Sequence, residues 1–188
     1  MSLTIPNLLS LARMGMVPLF IIAVIEGRTW QPLLLFVAAG LTDALDGLIA
    51  RFWNQQSKLG TYLDPAADKL LLVAAYASLA VPGLGREVTI PIWITVLVIA
   101  RDVLIVIVAL ILYLALGISR FPPAWVSKVT TAVQIIAVLL VLMAGTFPAF
   151  AETAELSLLL VALLTIVSGL NYMYLANRMV AEVKQEEA

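Results

Sequence analysis

The sequence predicts an all-α integral membrane protein with six transmembrane helices and a short interfacial helix at the N-terminus. Of the 188 residues, 63% are hydrophobic, whereas soluble domains contain roughly 45–50%. So much apolar surface cannot be hidden inside one soluble core. Six apolar segments approach the ~20 residues that a bilayer-spanning helix requires. The chain contains no repeat or low-complexity stretch, and we expect residues 1–188 to form a single domain.

The predicted spans are separated by breaks that contain glycine, proline and polar residues. They cover residues 14–25, 32–50, 64–81, 90–116, 124–144 and 154–176. The first is too short by itself, so residues 4–13 either continue it as a helix or lie beside it at the interface. Pro6 and Asn7 mark a helix start in that stretch. It lacks a small-residue cleavage site, so we expect a retained helix and not a removed signal peptide.

Basic residues predict the orientation of the spans. An even number of spans leaves both termini on one side, and only Arg28 and Arg86 lie on the other. The positive-inside rule therefore predicts cytoplasmic termini, and a cytoplasmic loop between the second and third spans. We expect the protein in the inner membrane of a bacterium. The terminal side carries eight basic residues: Arg13, Arg51, Lys58, Lys69, Arg120, Lys128, Arg178 and Lys184.

The residue types present limit the possible chemistry. The net charge is −1, and no basic patch indicates nucleic-acid binding. The chain contains no cysteine and no histidine, so thiol nucleophiles and zinc–thiolate sites are excluded. A general base must be Asp, Glu, Lys or Tyr. A metal must be held by oxygen ligands, which suit Mg²⁺, Mn²⁺ or Ca²⁺.

Four carboxylates interrupt the second and third apolar segments. An ionisable residue inside a membrane span is costly and indicates a functional site. Because a helix turns by about 100° per residue, the members in each segment share one face. The short connection predicts antiparallel neighbours whose acids face each other, and one or two divalent cations would relieve their repulsion. The two faces comprise Asp43, Asp46, Gly47 and Ala50, and Gly60, Asp64 and Asp68.

The spacing of these residues resembles the motif of the CDP-alcohol phosphotransferase family. That motif reads Asp-x2-Asp-Gly-x2-Ala-Arg-x8-Gly-x3-Asp-x3-Asp, and all eight defined positions match between Asp43 and Asp68. Family members have six membrane helices and transfer a phosphatidyl or similar group from a CDP-linked donor to an alcohol, releasing CMP. The resemblance therefore implies CDP-diacylglycerol as donor. It also implies that the protein is a homodimer embedded in membrane lipids.

The resemblance also implies a role for each motif residue. Asp43, Asp46 and Asp64 would hold two divalent ions, Mg²⁺ or Mn²⁺, that bind the donor pyrophosphate. Asp68 would accept the proton of the attacking hydroxyl and also touch a metal. The residues implied to border the CDP nucleotide are Asp43, Asn7, Gly47, Ala50, Arg51 and Gly60. An alternative is that the acids form structural ion pairs with Arg51, Lys69 and Arg101.

The identity of the acceptor depends on residues outside the motif. The run from Ser127 to Gln134 resembles the cardiolipin-synthesising members of the family. Members that use glycerol 3-phosphate typically carry Gly at the position of Ser127 and Lys at that of Thr130. We therefore expect phosphatidylglycerol as acceptor, giving cardiolipin, with glycerol 3-phosphate as the alternative. We expect Arg101, Lys128 and Arg13 to bind acceptor or lipid phosphate.

Each of these three cations has an alternative interpretation. Arg101 could form a local pair with Asp102, Lys128 could extend to the membrane interface, and Arg13 could anchor an interfacial segment. For the whole chain, the alternative from another class is a divalent-cation transporter, since acidic residues in spans also mark ion pathways. A bare ion, however, would have no use for the space that Gly47 and Ala50 leave.

Overall fold

All regular structure in the described part of the chain is helical, which confirms the all-α prediction. The computed structural model describes residues 5–52, 60–84, 86–116 and 125–186, with side chains over 8–45, 66–84, 86–114 and 125–181. A short 3₁₀ turn, Pro148–Phe150, precedes the last helix. The six helices are α1 (Ile5–Ile25), α2 (Trp30–Phe52), α3 (Gly60–Leu79), α4 (Ile92–Leu116), α5 (Trp125–Ala144) and α6 (Ala151–Glu186).

Four segments among the described residues are long and apolar enough to cross a membrane. They lie at Leu8–Ile25, Ile92–Leu114, Trp125–Ala144 and Pro148–Ala181. Helix α2 contributes a shorter apolar segment, Trp30–Leu45, which ends where its described side chains end. The described residues contain six α-helices, while the crossing of the membrane by α2 and α3, and the cytoplasmic termini, stay predictions.

The predicted separate interfacial helix is wrong, because α1 is one continuous helix of 21 residues. The stretch before Met14 continues directly into the first apolar segment, and no residue between them breaks the helical pattern. Pro18 lies inside α1 without ending it, as is tolerated in membrane helices. The side chain of Arg13 is only 1% exposed, so this part of α1 does not serve as an exposed interfacial anchor.

One compact unit consists of Met1–Ile90 and Val138–Ala154, and α1 is its organising helix. It packs against both α2 and α3. The rings of Phe20 and Phe36 are buried, with centroids 6.2 Å apart, and this contact joins α1 to α2. Other large buried side chains of these helices include Val24, Leu33, Leu71, Leu72, Tyr76 and Leu79. Apolar side chains such as Leu19 and Leu41 lie on the outside, as expected for contact with lipid.

The end of α1 is fixed by a glycine in the left-handed region. Gly27 has φ of +72°, a conformation that glycine adopts without steric penalty. The amide N–H of Arg28 donates to the carbonyl oxygen of Ala23 at 3.1 Å, which closes the helix.

The side chain of Arg86 also contacts the end of α1, where it donates a hydrogen bond to the carbonyl oxygen of Val24. Burial lowers the pKa of Arg86 from its ordinary value.

The second compact unit consists of Pro91–Ala137 and Glu155–Ala188. It contains α4 with parts of α5 and α6. Apolar side chains such as Val98 and Val161 are buried in it. Several polar side chains are buried as well, namely Arg101, Thr130, Gln134, Thr165 and Ser168. Membrane helices commonly associate through such interhelical hydrogen bonds. The expectation of a single domain stays a prediction.

Candidate active site

The candidate site is formed where Asp43 of α2 and Asp68 of α3 converge. Asp43 lies in the C-terminal half of α2, and Asp68 lies in the N-terminal half of α3. Their side chains are 47% and 48% exposed, so both carboxylates remain open to a ligand. Beside Asp68, Ala67 and Leu71 are buried. The packing of these apolar neighbours fixes the rotation of α3 and thereby the direction of the acid.

Arg13 of α1 lies between the two acids. Its Nη1 atom is 2.9 Å from Oδ1 of Asp43, and the same atom forms an ion pair and hydrogen bond with Oδ1 of Asp68. Two carboxylate oxygens that contact one nitrogen must lie close to each other. The structure therefore brings together the first and last acids of the motif, as the sequence predicts for these two.

The other motif residues and Asn7 lie in helices, but only their backbone belongs to the described part of the chain. These are Asp46, Gly47, Ala50 and Arg51 in α2, Gly60 and Asp64 in α3, and Asn7 in α1. The backbone is helical at all of these positions, so the spacing on which the prediction depends is retained. Their roles in holding metal or nucleotide stay predictions.

The observed donor atoms suit a divalent cation. Mg²⁺ and Mn²⁺ prefer oxygen ligands, above all carboxylates, and Asp43 and Asp68 present two half-exposed carboxylates to one point. Among the residues with described side chains, no three acids form a group that could hold a metal. Asp46 and Asp64 are not among the residues with described side chains. The two acids fit as part of a cation site whose other predicted ligands, Asp46 and Asp64, each lie about one turn away along α2 and α3.

The structure gives Arg101 the local ion pair that the sequence left open. Its side chain is 5% exposed, and Nη1 lies 2.9 Å from Oδ1 of Asp102. Its Nη2 atom donates to Oγ of Ser127 at 2.7 Å. Both Nε and Nη2 donate to Oγ of Ser168. This pairing joins α4, α5 and α6, and acceptor binding by Arg101 stays a prediction.

The residues of α5 that bear on the acceptor divide into an exposed and a buried set. Lys128 is exposed and its Nζ lies 5.3 Å from the centroid of the Trp125 ring, which fits an extension toward the interface. Thr130 is fully buried, and its Oγ1 donates to the carbonyl oxygen of Val126 at 2.7 Å. Thr130 therefore supplies no charge at this position of α5.

Sequence reasoning missed the contact of Arg13 with the acids and the role of two serines. Arg13 was expected at a lipid phosphate, because nothing along the chain indicates which helix α1 packs against. Ser127 and Ser168 hold the guanidinium of Arg101. The signal that could have found them is a buried arginine, which requires hydrogen-bond acceptors from neighbouring helices.

Known proteins resemble this chain, some of them over nearly its full length. Cardiolipin synthase (CMP-forming) of Homo sapiens is 38% identical over 199 residues, which cover 96% of this chain and 64% of that protein. The protein of the same name from Streptomyces coelicolor is 40% identical over 116 residues, covering 58% of this chain and 52% of that protein. The chain thus spans under two thirds of the length of these relatives.

A relative with a different named activity matches almost end to end. The CDP-diacylglycerol–glycerol-3-phosphate 3-phosphatidyltransferase of Escherichia coli is 36% identical over 179 residues, which cover 92% of this chain and 94% of that protein. The family model of the CDP-alcohol phosphatidyltransferases matches residues 3–175, which include the two acids that converge on Arg13. This chain therefore belongs to the CDP-alcohol phosphatidyltransferase family.

Proposed function

We propose that this protein transfers a phosphatidyl group from CDP-diacylglycerol to the hydroxyl of an alcohol and releases CMP. The observation that carries the proposal is the convergence of Asp43 and Asp68 on one cation, Arg13, in a chain of this family. These acids stand at opposite ends of the motif and come from different helices. Their shared position supports one acidic site to which both halves of the motif contribute.

In the proposed reaction, the acceptor oxygen forms a bond to the phosphorus that carries the diacylglycerol. The bond from this phosphorus to the bridging oxygen of CMP breaks, and CMP leaves with the bonding electrons. Asp68 takes the hydroxyl proton, since without histidine a carboxylate is the most plausible base. Asp43, Asp46 and Asp64 would hold two divalent ions, Mg²⁺ or Mn²⁺. Such ions neutralise the pyrophosphate and stabilise the leaving oxygen when bound.

The nucleotide is proposed to lie beside the small residues of α2. Gly47 and Ala50 would let the cytidine moiety approach the backbone, and Arg51 would border it. Asn7 and Gly60 complete the proposed set. This assignment rests on the motif and on the helical backbone at these positions.

We propose phosphatidylglycerol as the acceptor and cardiolipin as the product. Ser127 and Thr130 support this choice, since they replace the Gly and the second Lys expected for a phosphomonoester acceptor. Two relatives named cardiolipin synthase also support it. The second candidate is glycerol 3-phosphate, which is favoured by the near end-to-end match to the Escherichia coli protein. Arg101 and Lys128 stay the predicted acceptor residues on the strength of the sequence.

Supplying each acceptor separately tests this assignment. Purified protein in detergent with Mg²⁺ and CDP-diacylglycerol should release CMP and form cardiolipin when phosphatidylglycerol is added. Glycerol 3-phosphate alone should give much less CMP. Release of CMP with glycerol 3-phosphate but not with phosphatidylglycerol would reverse the order of the two candidates. Release with neither acceptor would contradict the proposed reaction.

The acidic site is proposed to face the cytosol from a bacterial inner membrane, in a homodimer. The basic residues near the termini and those between α2 and α3 support this orientation. The chain has no native cysteine, so single cysteines introduced at Ser57 or at the exposed Thr89 can report it directly. A membrane-impermeant maleimide applied to intact spheroplasts should label Thr89→Cys and not Ser57→Cys. The reverse labelling would contradict the proposed orientation.

A further inference from the structure

We infer that Arg13 is a positioning residue whose guanidinium holds Asp43 and Asp68 side by side, and that a divalent cation competes with it for their oxygens. The pairing is observed directly among the described side chains. The competition rests on the proposed function, because it requires a metal at this site. Two separate measurements below distinguish the two parts.

The burial of Arg13 indicates that its charge is balanced inside the unit. Its side chain is 1% exposed, and a charge in such surroundings is tolerated only when it is paired. Each acid is half exposed and could be solvated without it. Removing the arginine would leave two carboxylates close together without the guanidinium that both of them contact. Removing the carboxylates would leave a buried cation without its acids.

The position of Arg13 on α1 explains how the pairing can orient two helices. α1 packs against both α2 and α3. Ser10 and Val17, about one turn before and after Arg13 on α1, are buried as well. The guanidinium is planar, and its donors point in fixed directions. An arginine held in this way fixes the directions of both carboxylates. In the metal-free protein, the predicted base, Asp68, is thus oriented from a helix outside the motif.

The same geometry implies competition with metal. One nitrogen of Arg13 contacts Oδ1 of both acids, and a divalent ion that bridged these two oxygens would occupy the same space. Both are cations that satisfy the same negative charge. Metal binding to this pair must therefore move the guanidinium away, and before metal arrives the single charge of Arg13 offsets part of the negative charge of the two acids.

A double-mutant cycle in the presence of chelator tests the pairing. Arg13→Gln should lower the unfolding temperature of the purified protein by several degrees. In the Asp43→Asn/Asp68→Asn background, the same change should lower the unfolding temperature clearly less, because its ion pairs with these two acids are already absent. Arg28→Gln is the matched control, since Arg28 is half exposed and pairs locally with Glu26. An equal loss in both backgrounds would overturn the inference.

The triple variant keeps this test decisive if Arg13→Gln alone fails to fold. The variant Arg13→Gln/Asp43→Asn/Asp68→Asn has none of the three charges, so it should fold. Failure of the triple variant while Asp43→Asn/Asp68→Asn folds would mean that the arginine is needed for another reason, and the inference would be wrong.

Manganese binding tests the competition. Mn²⁺ binding is measured by electron paramagnetic resonance without donor or acceptor. Arg13→Gln should bind Mn²⁺ about tenfold more tightly than the unchanged protein, which corresponds to ~1.4 kcal/mol. Equal or weaker binding would overturn the competition. Neither readout uses turnover, so both stand apart from the proposed reaction. If CMP release failed while the cycle held, the reaction would be wrong and the pairing correct.

Discussion

Asp68→Asn should reduce CMP release by about 10²–10⁴-fold, the contribution typical of a general base. Asparagine has nearly the same shape as aspartate, but it cannot take the proton of the acceptor hydroxyl. The other three acids of the motif remain, so CDP-diacylglycerol should still bind. Equilibrium binding of labelled donor, measured beside CMP release, separates loss of chemistry from loss of the site. Arg13 keeps Asp43 as a partner in this variant, which favours correct folding.

The matched control is Glu155→Gln, which makes the same carboxylate-to-amide change at an exposed position near the start of α6. Its activity should equal that of the unchanged protein. Turnover of Asp68→Asn within a few-fold of the control would show that another group accepts the proton. Equal loss of donor binding and turnover would show that Asp68 mainly forms the pocket.

Asp43→Asn should weaken metal binding and activity together. Asp43 is a predicted metal ligand. Even the substitution of a residue that only hydrogen-bonds to a metal ligand commonly lowers metal affinity or activity by about 10–100-fold. We expect at least this loss in Mn²⁺ affinity and about 10²-fold less CMP release at a metal concentration that saturates the unchanged protein. Raising the Mn²⁺ concentration should restore part of the activity.

The dependence of CMP release on metal concentration provides the check on Asp43. A curve shifted to higher Mn²⁺, with Glu155→Gln unshifted, agrees with a ligand role. An unshifted curve with reduced maximum would instead assign Asp43 to donor binding alone. Unchanged affinity and unchanged rate would remove Asp43 from the site.

The fold was largely predictable because the elements depend on local apolar patterns. Five of the six predicted segments begin within four residues of the helices α2 to α6. An apolar run in the sequence indicates how much of a helix can lie in a membrane, and it does not indicate where the helix itself ends. The last helix therefore extends to Glu186, ten residues past the predicted end at Ala176. The first begins at Ile5 because nothing separates residues 4–13 from the apolar run.

The site was predictable only as far as helical spacing determines it. Asp43 and Asp68 each lie on the predicted face of one helix, and the structure brings their oxygens together. The partner that joins them, Arg13, could not be deduced, because a contact between α1 and two later helices leaves no local pattern. Arg101 shows the same limit, since a buried arginine next to an acid fits a ligand site and an internal pair equally well.

Locating bound metal tests the central claim most directly. Anomalous diffraction from crystals grown with Mn²⁺ and CDP-diacylglycerol should show manganese between α2 and α3, with oxygens of Asp43 and Asp68 about 2.0–2.5 Å from an ion. The guanidinium of Arg13 should have moved away from at least one of these oxygens. Manganese bound elsewhere, or Arg13 still paired to both acids beside bound donor, would contradict the account.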